Sequence, residues 1–141
     1  MNDEAPIDLQ QLRATLPKVA AAWVLQLQLE LVQARAGEVS MRMPVSAPLV
    51  HGGGVLCGQA LMAAADTAMI LAITTQLGEF KPMTTVQLQT SFLRPVPGNS
   101  AHVMVVARVL RMGRKLVFGE IHLSAEDGTL AAHATTTYAL L

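Results

Sequence analysis

The chain has 141 residues, of which 52% are hydrophobic and only 14% are charged. This length is enough for one domain with its own core and short for two, so we expect a single domain over residues 1–141. Soluble domains carry about 25% charged residues, so the low charged fraction predicts that part of the surface is buried against another subunit. Ten basic residues balance ten acidic ones, which excludes a general affinity for nucleic acid or an acidic membrane.

Three features bear on the cellular compartment. A single cysteine, Cys57, excludes an intramolecular disulfide and is typical of a reducing compartment. Asp3 and Glu4 stand where a secretory signal carries basic residues, so we expect no signal peptide. The longest apolar run, residues 60–73, is interrupted by Asp66 and is too short to cross a bilayer. We therefore expect a cytoplasmic protein without a membrane partner.

The first predicted elements are helices, in a lead-in over residues 1–24. Asp8 is a suitable N-cap, and leucines follow it at helical spacing until Pro17 interrupts the pattern. A second short helical piece is expected from Pro17 to about Trp23.

Alternating apolar and polar residues predict strands, and a long apolar stretch predicts a helix between the second and third of them. The helix follows a loop at residues 46–54, runs to about Gln76 and ends at Gly78, a good C-cap residue. It is apolar on nearly every face, which is typical of an enclosed helix. The predicted strands cover residues 25–31, 39–45, 84–93, 101–111, 115–125 and 129–140.

These elements give a hairpin, a buried helix and then a four-strand meander. An antiparallel sheet of about six strands wrapped around one long central helix is the α+β architecture called the hotdog fold. Such a sheet leaves edge strands exposed, and pairing two sheets edge to edge in a dimer covers them.

The segment from His51 to Met69 holds the groups that an enzyme site needs. The glycines at 52–54 let backbone amides approach a ligand closely, and a helix N-terminus favours developing negative charge. Asp66 lies among apolar residues of the helix, where a carboxylate is costly unless it has a partner or a function. An oxyanion site facing a general base or nucleophile is the arrangement for acyl transfer or hydrolysis.

This segment resembles the helix motif of PaaI-like acyl-CoA thioesterases. The resemblance rests on residues 53–69, which read Gly-Gly-Val-Leu-Cys-Gly-Gln-Ala-Leu-Met-Ala-Ala-Ala-Asp-Thr-Ala-Met. Residues 84–95 resemble the strand that follows in the family, and residues 108–120 and 126–131 resemble its last hairpins. The similarity extends over residues 25–138.

The resemblance implies a homodimer, often paired into a dimer of dimers (a homotetramer), with acyl-CoA bound at the dimer interface. Asp66 is then the general base or nucleophile, and the amide of Gly53 or Gly54 from the partner subunit polarises the thioester carbonyl. Thr85, on the next strand, helps to hold water in this family pattern. His51 lies farther from Asp66 than in the commonest pattern, and a related branch with a longer glycine-to-aspartate spacing fits better.

Several other polar residues have both a structural and a functional interpretation. His51 either positions the thioester or closes the loop, and Gln59, two helical turns before Asp66, binds substrate or a partner helix. A set of cations either forms a solvated surface or holds the phosphates of coenzyme A. Its members are Arg94, Arg108, Arg111, Arg114 and Lys115.

No metal site is expected, because His102, His122 and His133 lie on separate predicted strands without ligand spacing. We expect these histidines at the surface or an interface, and Cys57 to serve packing. No separate cofactor is expected either, since coenzyme A enters as part of the substrate.

The first functional interpretation is an acyl-CoA thioesterase that releases a free acid and coenzyme A. One alternative is a beta-hydroxyacyl-CoA dehydratase or hydratase, since enzymes of that class with this fold pair a histidine with an acid, as His51 and Asp66 would. The other is a non-catalytic acyl-CoA binding module. Asp66 argues against a binding module, because binding alone gains nothing from a carboxylate in an apolar site.

Overall fold

The computed structural model describes residues 7–141. Asp3 and Glu4, on which the expectation about a signal peptide rests, lie outside the described residues. The helical elements are α1 (Leu9–Val19), α2 (Ala22–Leu25), a short 3-10 helix (Ala47–Leu49) and α3 (Gly58–Leu77). The strands are β1 (Glu30–Arg35), β2 (Glu38–Pro44), β3 (Met83–Phe92), β4 (His102–Met112), β5 (Leu116–Ala125) and β6 (Leu130–Leu140).

The strands form one six-stranded antiparallel sheet in the order β1-β2-β4-β5-β6-β3. Helix α3 packs across one face of this sheet, and the hydrophobic core lies between the two. This is the α+β arrangement of a sheet around a long central helix, so the predicted fold class is confirmed.

The strand order differs from the predicted four-strand meander. β3 pairs with β6 at the sheet edge, whereas β4 pairs with β2. Turn signals identify only local hairpins, and the two tight turns join β4 to β5 and β5 to β6 as predicted. The segment between Phe92 and His102 is longer and carries the chain from the edge to the interior of the sheet. A meander that begins at β3 is therefore wrong.

Helix α3 is enclosed by the sheet, which explains why it is apolar on all sides. It ends one residue before Gly78, whose φ of 86° is left-handed and whose amide donates to the Thr74 carbonyl at 3.0 Å. The predicted end of the helix is thus confirmed. By length and composition α3 would suffice to cross a membrane, but 67% of its apolar window is buried inside the fold, as in a core helix.

The first helix begins as predicted and ends later. The Asp8 carboxylate accepts a hydrogen bond from the Gln11 amide at 2.8 Å, and the Gln11 side chain accepts one from the Asp8 amide at 2.9 Å. The predicted interruption at Pro17 is wrong, because α1 continues through it. A proline removes one backbone donor, and the amide of Ala20 still closes the last turn on Leu16 at 3.0 Å.

The predicted strand over residues 25–31 is also wrong, since β1 begins only at Glu30. Its leucines alternate, but Leu27 and Leu31 are also one helical turn apart and both are buried. Gln28 has a φ of 58°, which a strand does not allow, and there the chain changes direction before β1.

Candidate active site

Asp66 lies in the middle of α3 and contacts the paired strands β3 and β6. Thr85 Oγ1 donates a hydrogen bond to Asp66 Oδ1 at 2.9 Å. The Tyr138 hydroxyl makes a short hydrogen bond to the same oxygen and lies 2.9 Å from the Asp66 backbone carbonyl. Thr85 and Tyr138 are register partners across the two strands. Two neighbouring strands therefore hold one oxygen of one carboxylate, and Thr85 lies beside Asp66.

Tyr138 is the residue that the sequence analysis missed. It is the only tyrosine of the chain and is 1% exposed. Burial and the negative charge of Asp66 hold the pKa of the Tyr138 hydroxyl well above its usual range, so the group stays protonated and donates. The sequence does contain a signal for this role. Ala134, Thr136 and Tyr138 alternate along β6 and so lie on its buried face, where a tyrosine hydroxyl requires a hydrogen-bond partner.

The second oxygen of the carboxylate, Asp66 Oδ2, is open. Within residues 7–141 it accepts no hydrogen bond, since those made to the side chain end on Oδ1. In the same part of the chain, the fully buried side-chain atoms without a partner are Arg42 Nε and Thr90 Oγ1, so Oδ2 is not completely sealed from solvent. One oxygen is fixed and the other is free to take a proton, which is the geometry of a general base.

His51 organises the exposed loop that precedes α3. Its Nδ1 accepts a hydrogen bond from the Gly53 amide at 2.8 Å, and its carbonyl accepts one from the Gly54 amide at 2.9 Å. Its own amide donates to the Val55 carbonyl at 3.0 Å. The imidazole is thus engaged within the loop, and this geometry gives no support to a hydratase that pairs His51 with Asp66. The two glycine amides predicted to polarise a thioester carbonyl already have partners.

The first amides of α3, in contrast, have no partner inside the helix. Cys57, at the N-cap position, makes no side-chain hydrogen bond to them. Gly58 is the first helical residue, and Gln59 beside it is exposed. Asp66 comes eight positions after Gly58, which corresponds to about 12 Å along the helix. A small group bound at the Gly58 amide is therefore out of reach of Asp66 in the same chain.

A cavity of about 390 Å³ opens beside the start of α3. Its lining includes Gly58, Leu61 and Phe92, with Arg94 contributing a cation. An apolar wall with few polar groups is typical of small-molecule sites. A Cβ at Gly58 would lie 3.1 Å from Phe92 Cζ, so glycine keeps the approach to this amide open. Asp66 does not line this cavity.

The predicted cations do not gather in one place within the chain. Arg94 follows the end of β3 beside the cavity, whereas the turn between β4 and β5 lies next to the end of β6, where β3 begins. The ten residues of β3, about 33 Å when extended, separate the two groups. Arg108 forms an ion pair with Glu38 at 2.9 Å. The exposed cations at or beside this turn are Arg111, Arg114 and Lys115.

Comparison with known proteins identifies related sequences. The profile of the thioesterase superfamily matches residues 50–132, a range that includes His51, Asp66 and Thr85. A protein of Thermoplasma volcanium named "Putative esterase TV1331" is 29% identical over 114 residues, covering 81% of this chain and 84% of that protein.

Two solved structures share the fold over nearly the whole chain. The Escherichia coli PaaI protein from the phenylacetic acid degradation operon has a TM-score of 0.83 at 19% identity, covering 94% of this chain and 92% of that chain. Thioesterase HI1161 of Haemophilus influenzae has a TM-score of 0.84 at 24% identity, covering 100% of this chain and 95% of that chain. What these likenesses show is the hotdog arrangement of sheet and central helix.

Proposed function

Because the chain belongs to the thioesterase superfamily, we propose that it hydrolyses the thioester bond of an acyl-CoA to give a free acid and coenzyme A. The observation that supports this most is the unequal hydrogen bonding of the two carboxylate oxygens of Asp66. Thr85 and Tyr138 fix its Oδ1, while Oδ2 accepts no hydrogen bond within residues 7–141. A carboxylate held in this way has a fixed orientation and still has one oxygen without a hydrogen-bond partner.

In the proposed reaction, Asp66 Oδ2 takes a proton from water as the water oxygen attacks the thioester carbonyl carbon. The carbonyl oxygen becomes an oxyanion, and collapse of this intermediate breaks the C–S bond and returns the proton to the departing thiolate. Thr85 and Tyr138 act as positioning residues for the carboxylate. Direct attack by Oδ2, followed by hydrolysis of the resulting anhydride, uses the same geometry.

We assign the oxyanion donor to the Gly58 amide of a second copy of the chain. The base and the oxyanion donor each need to lie about 3 Å from the reacting group. In one chain they are about 12 Å apart along α3, and the amides of Gly53 and Gly54 are occupied by His51. A complete site therefore needs Asp66 from one copy and the start of α3 from another.

The edge strand β3 is the surface that we propose joins the two copies. It is ten residues long, and its apolar Val86 and Phe92 are 58% and 51% exposed. Long exposed edge strands with apolar side chains are prone to pair with another strand. Since Thr85 of β3 contacts Asp66, pairing at this edge brings a second copy close to the carboxylate. A homodimer is the minimum assembly, and a dimer of dimers remains an expectation.

Antiparallel pairing of two β3 strands also accounts for the divided cations. The end of β3 in one copy then lies next to the start of β3 in the other, so Arg94 of one copy approaches the β4–β5 turn of the other. We propose that Arg94 and this turn, with Arg111, Arg114 and Lys115, hold the phosphates of coenzyme A across the interface.

The test of this function is thiol release from short, long and aromatic acyl-CoAs by the wild type and by Asp66→Asn. We expect turnover of at least one class, and a loss of about a hundred- to ten-thousandfold in the variant. Glu126→Gln, at an exposed acid on the β5–β6 turn, is the control and should retain full activity.

Size-exclusion elution and circular dichroism establish that each variant keeps its assembly and fold. A wild type that is inert on every acyl-CoA contradicts the proposed reaction. An Asp66→Asn variant as active as Glu126→Gln contradicts the assignment of the base.

A further inference from the structure

A second cluster of chemically capable side chains lies on β5 and β6. His122 and His133 are directly opposite each other in the register of the two strands, and their ring centroids are 5.1 Å apart. Glu120 precedes His122 by two residues and so lies on the same face of β5. Its Oε2 is 3.2 Å from His133 Nε2 and 3.9 Å from His122 Nε2. The three ligand atoms all lie within 4.8 Å of one another.

This cluster faces away from α3. Gly119 and Ile121, its neighbours in β5, are buried, and a Cβ on Gly119 would overlap Met69 of α3. Alternation along the strand therefore places Glu120 and His122 on the outer face of the sheet. The side chains of His122, His133 and Glu120 are 47%, 34% and 24% exposed, so an ion reaches them from solvent. The sheet separates them from Asp66.

We propose that Glu120, His122 and His133 form a binding site for a divalent transition metal of the zinc class. Two imidazoles and one carboxylate are a ligand set that suits zinc. Adjacent antiparallel strands hold the three donors on one rigid surface. Small side-chain rotations bring the donor atoms to the distance of about 2.0–2.2 Å that zinc requires. Three protein ligands leave a fourth position for water.

The neighbouring strands offer the cluster little competition. Val106 of β4 is opposite His122, and Ser91 of β3 is opposite His133, so neither adds a charge. Arg108 of β4 is opposite Glu120, but its guanidinium donates to Glu38 at 2.9 Å. Glu120 is therefore the only acid in the ligand set and is free to turn toward a metal.

The spacing along the chain does not reveal this site, because its ligands come from two strands. The expectation of no metal rested on the absence of close histidine pairs in the sequence. The turn predicts the β5–β6 hairpin, but an irregularity between Leu123 and Ser124 shifts the register and places His122 opposite His133.

The proposal is tested by titrating the metal-free protein with ZnCl₂ in competition with a chromophoric chelator. The wild type should bind one zinc ion per chain. His122→Gln and His133→Gln should each weaken binding by at least about tenfold, because loss of a ligand costs no less than loss of a supporting residue. His102→Gln, on the outer face of β4 outside the cluster, is the matched control and should bind as the wild type does.

Substitution of Co²⁺ gives a second readout, since its visible absorption reports the ligand set. The wild type should show a spectrum that the His122→Gln/His133→Gln double variant lacks, while both hydrolyse acyl-CoA equally. Equal zinc affinity in the wild type and the double variant would overturn the proposal, as would a loss of binding in His102→Gln. If a histidine variant fails to fold by circular dichroism, Glu120→Gln provides the same comparison.

Discussion

At the scale of single residues, the site depends on how Asp66 is held. Its Oδ1 receives hydrogen bonds from Thr85 and from Tyr138, whose burial keeps it protonated. Hydrogen bonds to a charged group contribute about 1.5–3 kcal/mol each. Losing one allows the carboxylate to rotate away from the productive position without removing it.

Tyr138→Phe and Thr85→Val should each lower kcat by about tenfold or more while changing KM little. The two effects should not add in the double variant, because both groups act on one oxygen. Steady-state kinetics on the best acyl-CoA measure this. Thr84→Val, an exposed neighbour on β3, is the control. Kinetics of Tyr138→Phe and Thr85→Val that match those of Thr84→Val would exclude a positioning role.

Glu38 provides a prediction about pH and stability. Burial acts to raise its pKa, but hydrogen bonds and charges from Arg35 and Arg108 outweigh burial and hold the pKa below the usual 4.5. A depressed folded pKa means that the ionised pair stabilises the fold above the unfolded value and that this stability is lost as pH falls through the folded one. The difference in free energy of unfolding between wild type and Glu38→Gln should therefore be largest near neutral pH.

Urea unfolding at a series of pH values from neutral to about 3 measures this difference, which should shrink steadily below the usual glutamate pKa. Glu126→Gln, at the exposed β5–β6 turn, should show a smaller difference at every pH. A Glu38 difference that grows on acidification would contradict the assignment.

At the scale of elements, short sequence signals correctly predicted the helix ends and tight turns that depend on neighbouring residues. The end of α3 at Gly78, the two hairpins among β4, β5 and β6, and the cap at Asp8 all depend on residues close in sequence. The alternation of leucines over residues 25–31 led to a wrong strand prediction, because the same residues also fit a helical turn. In addition, no sequence signal marks the left-handed backbone conformation of Gln28. Period alone does not separate these two cases.

The pairing of β3 was beyond sequence reasoning for a different reason. β3 and its partner β6 are separated in the chain by the two strands β4 and β5. Nothing in residues 93–101 specifies which strand β4 pairs with after the chain leaves β3. The site shares this limit. Asp66 was identified from its apolar setting and motif, whereas its partnership with Tyr138 follows only from the β3–β6 register.

The contact between α3 and β5 leads to a prediction about packing. A Cβ at Gly119 would overlap Met69 and lie 2.9 Å from the Arg108 carbonyl. Gly119→Ala should therefore destabilise the fold by about 1–3 kcal/mol, the usual cost of overpacking. Urea unfolding measures the change. Gly52→Ala, where an added Cβ meets nothing within 4 Å, is the control, and equal stability of the two variants would contradict close packing at this contact.

At the scale of the whole molecule, the proposed site exists only in an assembly. Val86→Lys, on the exposed edge of β3, should convert the protein to monomers and abolish hydrolysis, because it places a charge on the apolar pairing edge. Multi-angle light scattering and thiol release measure both effects. Leu110→Lys, a similarly exposed apolar residue at 57% on β4, should leave the dimer and its activity intact. An active Val86→Lys monomer would contradict a shared site.

Mixing two inactive variants tests the same point directly. Gly58→Pro removes the proposed oxyanion amide and suits the first helical position, since Cys57 already has the extended ψ of 147° that precedes proline. Gly58→Ala adds the same Cβ toward Phe92 but keeps the amide, so it is the control and should stay active. Asp66→Asn removes the base. Co-refolding the two should restore part of the activity, since one site of each hybrid dimer has both groups intact. Hybrids that stay inactive would place base and donor in the same chain.

Because Thr85 and Tyr138 both bind Asp66, the orientation of the carboxylate also depends on the correct register of the strands. A slip of one residue between β5 and β6, with β3 still paired to β6, turns both side chains to the opposite face, because alternate residues point to opposite sides of a sheet. Asp66 then loses both anchors at once. A misregistered molecule can be compact and helical and still be chemically silent, so specific activity in a refolding experiment reports the fraction of chains with native register, which spectroscopic measures of secondary structure do not distinguish.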